Sequence, residues 1–368
     1  MGIDLGSVEF YTGPPVLGGP DDLDTVIRDF IDGATTTLSI AVQELDSRPI
    51  AEALLAAKLR KVRVQIILEG DYLRESPPRA DPWALTGDNE GNRIIHAALL
   101  RAGVDLITDL NPKIFHQKFI VRDPGLDTAA ILTGSTNFTR TDTGTNPPDN
   151  PDKPGNNLNH LVILRGRTAA NLYLAEFQRM RTGTFGALQE RVTSRPAEFR
   201  LGKIRVKPIF APYHGPEMEI MKQMLKARER VDFAMFTFAQ SSGIDDTMEW
   251  LLKAGIPIRG VLDRGQGSQK WAATKRLQAA GAELFENSFG NGVRKVHHKL
   301  MIIDRRLVVA GSFNFTAPAN SLNDENIVVL GDLEEPDPAA ETAQRRLAAY
   351  ALAEIDRMVA DLSRPIPV

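Results

Sequence analysis

One polar signature occurs twice in this chain, and each copy constrains how the other can be folded. The first copy is His116, Gln117 and Lys118, then Asp123 after four further residues, and on the next apolar run Gly134, Ser135, Thr136, Asn137, Phe138 and Thr139. The second is His297, His298 and Lys299, then Asp304, followed by Gly311, Ser312, Phe313, Asn314, Phe315 and Thr316. The histidines are 181 residues apart and the asparagines 177, so order and spacing recur together. Self-similarity at a fixed period describes the whole architecture, not one loop. Two incomplete sites in one chain imply one complete site between them.

The repeat extends to the flanking elements. Leu38 to Val42, a helical stretch from Pro49 to Leu59 and the apolar run Val62 to Leu68 match Val231 to Phe238, Asp246 to Lys253 and Ile256 to Leu262. Downstream, Leu161 to Leu164 matches Ile327 to Leu330, and helical patterns follow over Ala169 to Met180 and Ala339 to Leu362. Strands alternating with helices predict an α/β sandwich in each half. The expected boundaries are an N-terminal repeat over 1–182, a linker over 183–202, and a C-terminal repeat over 203–368 that ends in a helix. Two stretches rich in Pro, Asp, Gly and Asn, Asp71 to Arg93 and Thr141 to Asn157, read as inserted loops. The second follows the Gly-Ser-Thr-Asn turn and is expected near the mouth of the site.

On a strand, residues i and i+2 share a face. His116 therefore projects with Lys118, and His297 with Lys299, while Phe119, Val121, Leu300 and Ile302 point into the core. Asn137 and Asn314 follow Gly-Ser turns at the ends of the next strands. Two lysines, two asparagines and the hydroxyls of Ser135 and Ser312 are thus expected around a phosphate, with Asp123 and Asp304 fixing the motif. Donors held where charge grows on a crowded phosphorus lower the barrier to its displacement.

The doubled pattern resembles the HxK(x)4D…GSxN signature of the phospholipase D superfamily, and the likeness covers most of the chain. The resemblance implies two pseudo-symmetric α/β sandwich repeats packed around one shared active site. It also implies a metal-independent phosphodiesterase without a cofactor, in which one imidazole forms a phosphohistidine and the other protonates the leaving oxygen. The family's usual order makes His116 the nucleophile and His297 the acid. Asn323, Asp324, Glu325 and Asn326 resemble the superfamily's Asn-x-Glu-Asn segment, whose glutamate orients a histidine; Glu325 is expected to favour charge on His297. The matching residues of the first repeat, Asn157, Leu158, Asn159 and His160, lack the carboxylate. The catalytic set is then His116, Lys118, Asn137, His297, Lys299, Asn314 and Glu325.

Composition narrows the rest. The 368 residues include no cysteine, which excludes thiol nucleophiles and Cys-based zinc sites. There is no HExxH and no cluster with metal-ligand spacing. No apolar run approaches the roughly 18 residues of a membrane span, and no basic segment precedes an apolar one at Met1, so a cytoplasmic protein is expected. The net charge of −3 does not suggest a polyanion binder, yet Arg294, Lys295, Arg305 and Arg306 crowd the second motif, and Lys113 stands near the first. The wording GSFNFT with NDENIVVL is most similar to the small bacterial nucleases of the superfamily. Nucleic acid, DNA or RNA, is therefore the favoured substrate, and phospholipid, for a phospholipase or phosphatidyltransferase, is the alternative. One chain carries both motifs, so a monomer is expected to hold a complete site. His96 is expected to be structural, and His160 and His214 are candidates for lining the site.

Overall fold

The computed structural model describes residues 2–147, 154–188 and 194–367. Residues 148–153 of the second insertion and 189–193 of the expected linker lie outside the described residues. The chain builds one α/β unit twice. The first unit runs β1 (Ile3–Asp4), β2 (Val8–Gly13), α1 (Leu23–Asp32), β3 (Thr37–Val42), α2 (Arg48–Leu59), β4 (Arg63–Leu68), α3 (Glu90–Arg101), β5 (Asp105–Thr108), β6 (Lys118–Arg122), β7 (Ala130–Gly134), α4 (Arg140–Thr143), β8 (Asn156–Arg165) and α5 (Arg167–Arg181). The second runs β9 (Phe199–Leu201), β10 (Ile204–Ala211), α6 (Pro216–Met224), β11 (Val231–Met235), α7 (Ile244–Lys253), β12 (Ile258–Leu262), α8 (Arg264–Gly267), α9 (Thr274–Ala279) and β13 (Glu283–Asn287). It continues through β14 (Val293–Val296), β15 (Lys299–Ile303), β16 (Leu307–Gly311), α10 (Ala317–Ser321), β17 (Glu325–Leu330), α11 (Pro338–Arg357) and β18 (Ser363–Pro365). The expected linker contains β9, which pairs with β10 as β1 pairs with β2.

The strands form two mixed sheets, ordered β1-β2-β8-β7-β6-β3-β4-β5 and β18-β13-β12-β11-β15-β16-β17-β10-β9. In both, the histidine-lysine strand (β6 or β15) lies at the centre, antiparallel to its neighbours on either side. Such a strand is covered on both faces, which explains why its residues are buried at every position rather than alternately. Ile120 packs under α1 and α2, and Met301 under α6 and α7, in the two outer cores. Phe119, Val121, Leu300 and Ile302 face a third core between the sheets, as their alternation predicts. That central layer is filled by α5 and α11. The Tyr173 ring of α5 meets Phe119 of one sheet edge-on at 5.2 Å and Phe210 of the other at 5.0 Å. The two halves therefore share one core.

Local chemistry sets the ends of the elements. Asp22 accepts from Thr25 N at 3.2 Å to start α1, and Leu23, Ile27, Phe30 and Ile31 recur on its inner face. The last threonine of each motif is also a cap: Thr139 starts α4 and Thr316 starts α10, each accepting at 3.2 Å from a backbone N–H three residues on. Gly134 and Gly311 have φ of 154° and 149°. A Cβ there would stand 2.3 Å from the carbonyl oxygen of His160 or Asn326, so only glycine lets the last strand come this close.

Candidate active site

Each histidine stands just ahead of its central strand, and its backbone is held by the other half. His116 N–H donates to the Asp324 carbonyl at 3.0 Å, and His297 N–H donates to the Leu158 carbonyl at 3.0 Å. Around His297 this contact grows into a ladder, because β14 runs parallel to β8 across the boundary between the repeats. Asp324 reinforces the join. Its buried carboxylate accepts from Asn111 Nδ2 at 2.7 Å, Gly186 N at 2.9 Å and Arg179 Nη2 at 3.1 Å.

The side chains follow the same exchange. His116 Nδ1 lies 2.7 Å from Glu325 Oε2, and His297 Nδ1 lies 2.9 Å from Asn159 Oδ1. Glu325 thus serves His116, not His297, contrary to the expectation drawn from its place in the second repeat. The reason is topological: β17 and β8 carry Glu325 and Asn159 to the histidine of the opposite repeat. Ser312 Oγ donates to Glu325 Oε2 at 2.6 Å and Ser135 Oγ donates to Asn159 Oδ1 at 2.8 Å. Both hydroxyls are sealed from solvent. They orient the residues that orient the histidines and do not face a phosphate, which corrects that part of the sequence reading.

His297 has a carboxylate after all. Asp142, on α4, places Oδ2 3.6 Å from His297 Nδ1. It is pinned there by Asn137 N at 2.7 Å and by Asn157 Nδ2. Sequence reasoning missed it because it lies where the insertion begins, outside the repeat. Its one signal was an acid five residues after the motif asparagine with no counterpart in the second half.

His116, Asn137, His297 and Asn314 line one cavity of about 420 Å³, joined by Gln43, Glu44, Tyr72, Phe236, Arg294 and Lys295. Lys118 and Lys299 are not among its lining residues and are almost without exposure, at 1% and 3%. Lys118 Nζ donates to the His116 carbonyl at 2.9 Å and Gln43 Oε1 at 3.1 Å, and Lys299 Nζ donates to the His297 carbonyl at 2.8 Å. Burial, opposed by Glu325 and other acids nearby, pushes Lys118 down to about 8. Burial and then repulsion from Lys118 depress Lys299 further. Burial, with the cations beside them, also holds both histidines well below their ordinary value, while burial lifts Glu325 to about 8. Such a pocket, walled by Arg294 and Lys295, suits an anion.

The remaining candidates lie elsewhere. Asp123 and Asp304, both at positive φ, cap loops at the far ends of their strands. Asp123 accepts from Thr35, Thr36 and Thr37 N, and Asp304 from Arg228, Glu229 and Arg230 N, all within 2.9 Å. His96 is half-buried on α3, and His214 accepts from Phe210 N at 3.2 Å in its own loop.

His160 does not line the cavity; it forms a buried pair with His298. Gly311 N–H donates to His160 Nε2 at 3.2 Å, the two Nδ1 atoms are 3.2 Å apart, and His298 Nε2 is 3.2 Å from Glu354 Oε1. Donors and acceptors alternate along this chain only when both rings are neutral. The counterpart on the other side of the pseudo-dyad is Gln117 with Asn326, joined at 2.7 Å. Burial lowers the proton affinity of both histidines. Below the ordinary histidine value the unfolded chain takes up protons that the folded one refuses. Stability is therefore expected to fall as pH drops from about 7 toward 5, by up to roughly 1.4 kcal/mol per pH unit for each such ring. The double variant His160→Asn with His298→Gln, which rebuilds the Gln-Asn pair, should show a shallower loss in urea unfolding at the two pH values. Equal losses would refute the neutral pair.

Comparison with known proteins follows the same lines. A family model described as the PLD-like domain of cardiolipin synthase matches residues 27–181 and 220–347. A Rickettsia bellii protein named phospholipase D is 33% identical over 147 residues, which span 38% of this chain and 67% of that protein. A Chlamydomonas reinhardtii protein named mitochondrial cardiolipin hydrolase is 31% identical over 106 residues, 29% of this chain and 46% of that one. Among solved structures, the phosphatidylserine synthase of Haemophilus influenzae Rd KW20 superposes with a TM-score of 0.65, covering 100% of this chain and 89% of that chain. At 11% identity that likeness is one of fold.

Proposed function

Since this chain belongs to the phospholipase D superfamily, we propose that it cleaves phosphodiesters through a phosphohistidine without a metal, and that its substrate is a phospholipid. The observation that carries the mechanism is the pair of histidines over one cavity, each with Nδ1 fixed by the opposite repeat. With its Nδ1–H donating to Glu325, His116 keeps its Nε2 lone pair free for the cavity. That lone pair attacks phosphorus, the bond to the leaving oxygen breaks, and His297, charged once the phosphate is bound and backed by Asp142, gives that oxygen its proton. His297 then takes a proton from water, whose oxygen attacks phosphorus and returns the electron pair to His116. Lys118, Lys299, Asn137 and Asn314 hold the phosphate oxygens as charge builds.

The substrate reading moves away from the nuclease favoured by the motif's wording. Relatives at about one third identity carry lipid names, and the cavity wall is partly apolar, with Ile114, Phe236 and Pro318. No helix among the described residues is long and apolar enough to cross a membrane, but an enzyme of this kind needs only to reach the bilayer surface. Nucleic acid stays as the second reading because Arg294 and Lys295 also line the cavity. The test is cleavage, in excess EDTA, of labelled phospholipids in mixed micelles beside single-stranded DNA, duplex DNA and RNA. Lipid cleavage alone supports the proposal, and nucleic-acid cleavage alone overturns it.

The profile of kcat/KM against pH, which reports the free enzyme, is expected to be bell-shaped with an alkaline limb near 8. Lys118, pushed down to about 8, loses its charge as pH rises through that value and with it part of the grip on phosphate. A profile flat to pH 10 would contradict this.

A further inference from the structure

The cavity lies at one edge of each sheet. β3 pairs parallel to β4, and β12 parallel to both β11 and β13, while β6 and β15 run antiparallel beside β3 and β11. The C-terminal ends of β4, β12 and β13 therefore stand at the same edges as His116 and His297. The connections that leave those ends carry exposed apolar side chains. Trp83 and Leu85 follow β4, Trp271 lies between β12 and α9, and Phe289 follows β13, at 88%, 82%, 44% and 69% exposure. Leu110 and Ile114, between β5 and β6, are exposed as well, and Ile114 also lines the cavity. Of the exposed tryptophan and phenylalanine rings among the described residues, only Trp250, on α7, lies outside these connections.

Phe289 is held out in water by a braced turn. Ser288 N–H and Asn291 Nδ2 both donate to the Leu362 carbonyl, at 2.9 and 2.7 Å. The Arg264 guanidinium lies 3.4 Å from the ring centroid and that of Arg364 5.3 Å. Arg364 is also bound by Glu286 at 2.6 Å. Among the described residues, however, none of Arg264, Lys270, Arg294 and Lys295 is in an ion pair; Arg264 rests on Phe289, and Lys295 lies over the Phe236 ring at 5.2 Å. In a chain of net charge −3 this edge thus carries a local excess of positive charge beside exposed rings. Rings with basic neighbours suit the headgroup layer of an anionic bilayer, where the ring meets the acyl boundary and the cation meets phosphate. A nucleic-acid base would need a free ring face on which to stack. Arg264 occupies one face of Phe289, and Leu85, Leu110 and Ile114 offer none.

We propose that this edge is a docking face for an anionic lipid bilayer. Phe289 and Trp271 of one repeat, and Trp83 and Leu85 of the other, enter the headgroup layer, while Arg264 and Lys270 meet lipid phosphates. The inference rests on the phospholipid reading and adds to it the surface by which the cavity is brought to its substrate.

The test is sedimentation of the whole chain with vesicles of phosphatidylcholine alone or mixed with phosphatidylglycerol, for the wild type, Phe289→Ser, Trp83→Ser and Arg264→Gln. Binding is expected to favour the mixed vesicles and to weaken with salt. The partition coefficient should fall about tenfold or more in Phe289→Ser and Trp83→Ser, and about fivefold in Arg264→Gln. All three variants should cleave a monomeric short-chain phospholipid at the wild-type rate and lose activity only on vesicles. Equal losses on monomer and vesicle would place these residues in the site and overturn the docking face. So would a chain that cleaves the monomeric lipid but binds no vesicle, or vesicle binding unmoved by the substitutions; in both cases the lipid reading stands. Single-stranded DNA cut, with neither form of lipid cleaved, would overturn both.

Discussion

Alanine at His116 is expected to lower turnover by about ten thousand- to a million-fold, the scale on which a covalent nucleophile is missed. Glu325 cannot take its place: it is fully buried behind the ring, with Oε2 held by Ser312 and Oε1 by Asn323. The diagnostic is the intermediate. Rapid alkaline quenching of the wild type with labelled substrate should trap an acid-labile adduct on the protein, and His116→Ala should trap none. An adduct that persists in His116→Ala and vanishes in His297→Ala would exchange the two roles. Glu325→Gln belongs with His116→Ala, although it lies in the other repeat. It leaves the 2.7 Å contact but removes the acid whose ionised form keeps the proton on Nδ1, and a loss of about a hundred- to ten-thousand-fold is expected in adduct formation above the Glu325 value of about 8.

Alanine at His297 is expected to cost about a hundred- to ten-thousand-fold on substrates with an alcohol leaving group, and far less on one that leaves without a proton. A p-nitrophenyl phosphodiester supplies the contrast. It should restore His297→Ala to within about tenfold of the wild type, since the general acid's share of the barrier is gone, while doing nothing for His116→Ala. Asp142→Asn should show the same selectivity in milder form, because Asp142 lies 3.6 Å from His297 and far less directly affects phosphorus. Loss on both leaving groups alike in His297→Ala would show that the residue does more than donate a proton.

The centre of each repeat was legible. Two copies of one polar signature on strands of known alternation yielded the two α/β units and the elements that flank each motif, with His116 and His297 on one cavity, but not the outer strands β1, β2, β5, β9, β13 and β18. Partnership between the copies was not. Glu325 is close in sequence to the second motif, and linear proximity assigned it to His297; only the crossing of β8 and β17 over the pseudo-dyad sends it to His116. The serines were misplaced for a related reason, since a strand alternation says which side a hydroxyl takes but not what waits there. The His160–His298 pair had a signal that went unused: the chain departs from its own repeat at Gln117/His298 and Asn326/His160, and the two departures touch each other. Substrate was the least legible feature. Ile114, Arg294 and Lys295, which bear on its proposed choice, lie outside the repeated residues and come together only as walls of one cavity.

The exchange of supports between the halves also has a bearing on synthesis. When the first repeat leaves the ribosome it already carries His116, Lys118 and Asn137, but Asp324, whose carbonyl holds the His116 backbone, and Glu325, which holds its ring, belong to the last strands of the second repeat and are still to be made. Activity then arrives with the closing strands, in one step and only in molecules that have docked both halves. A chain that ends before Asp324 lacks both of these supports of His116.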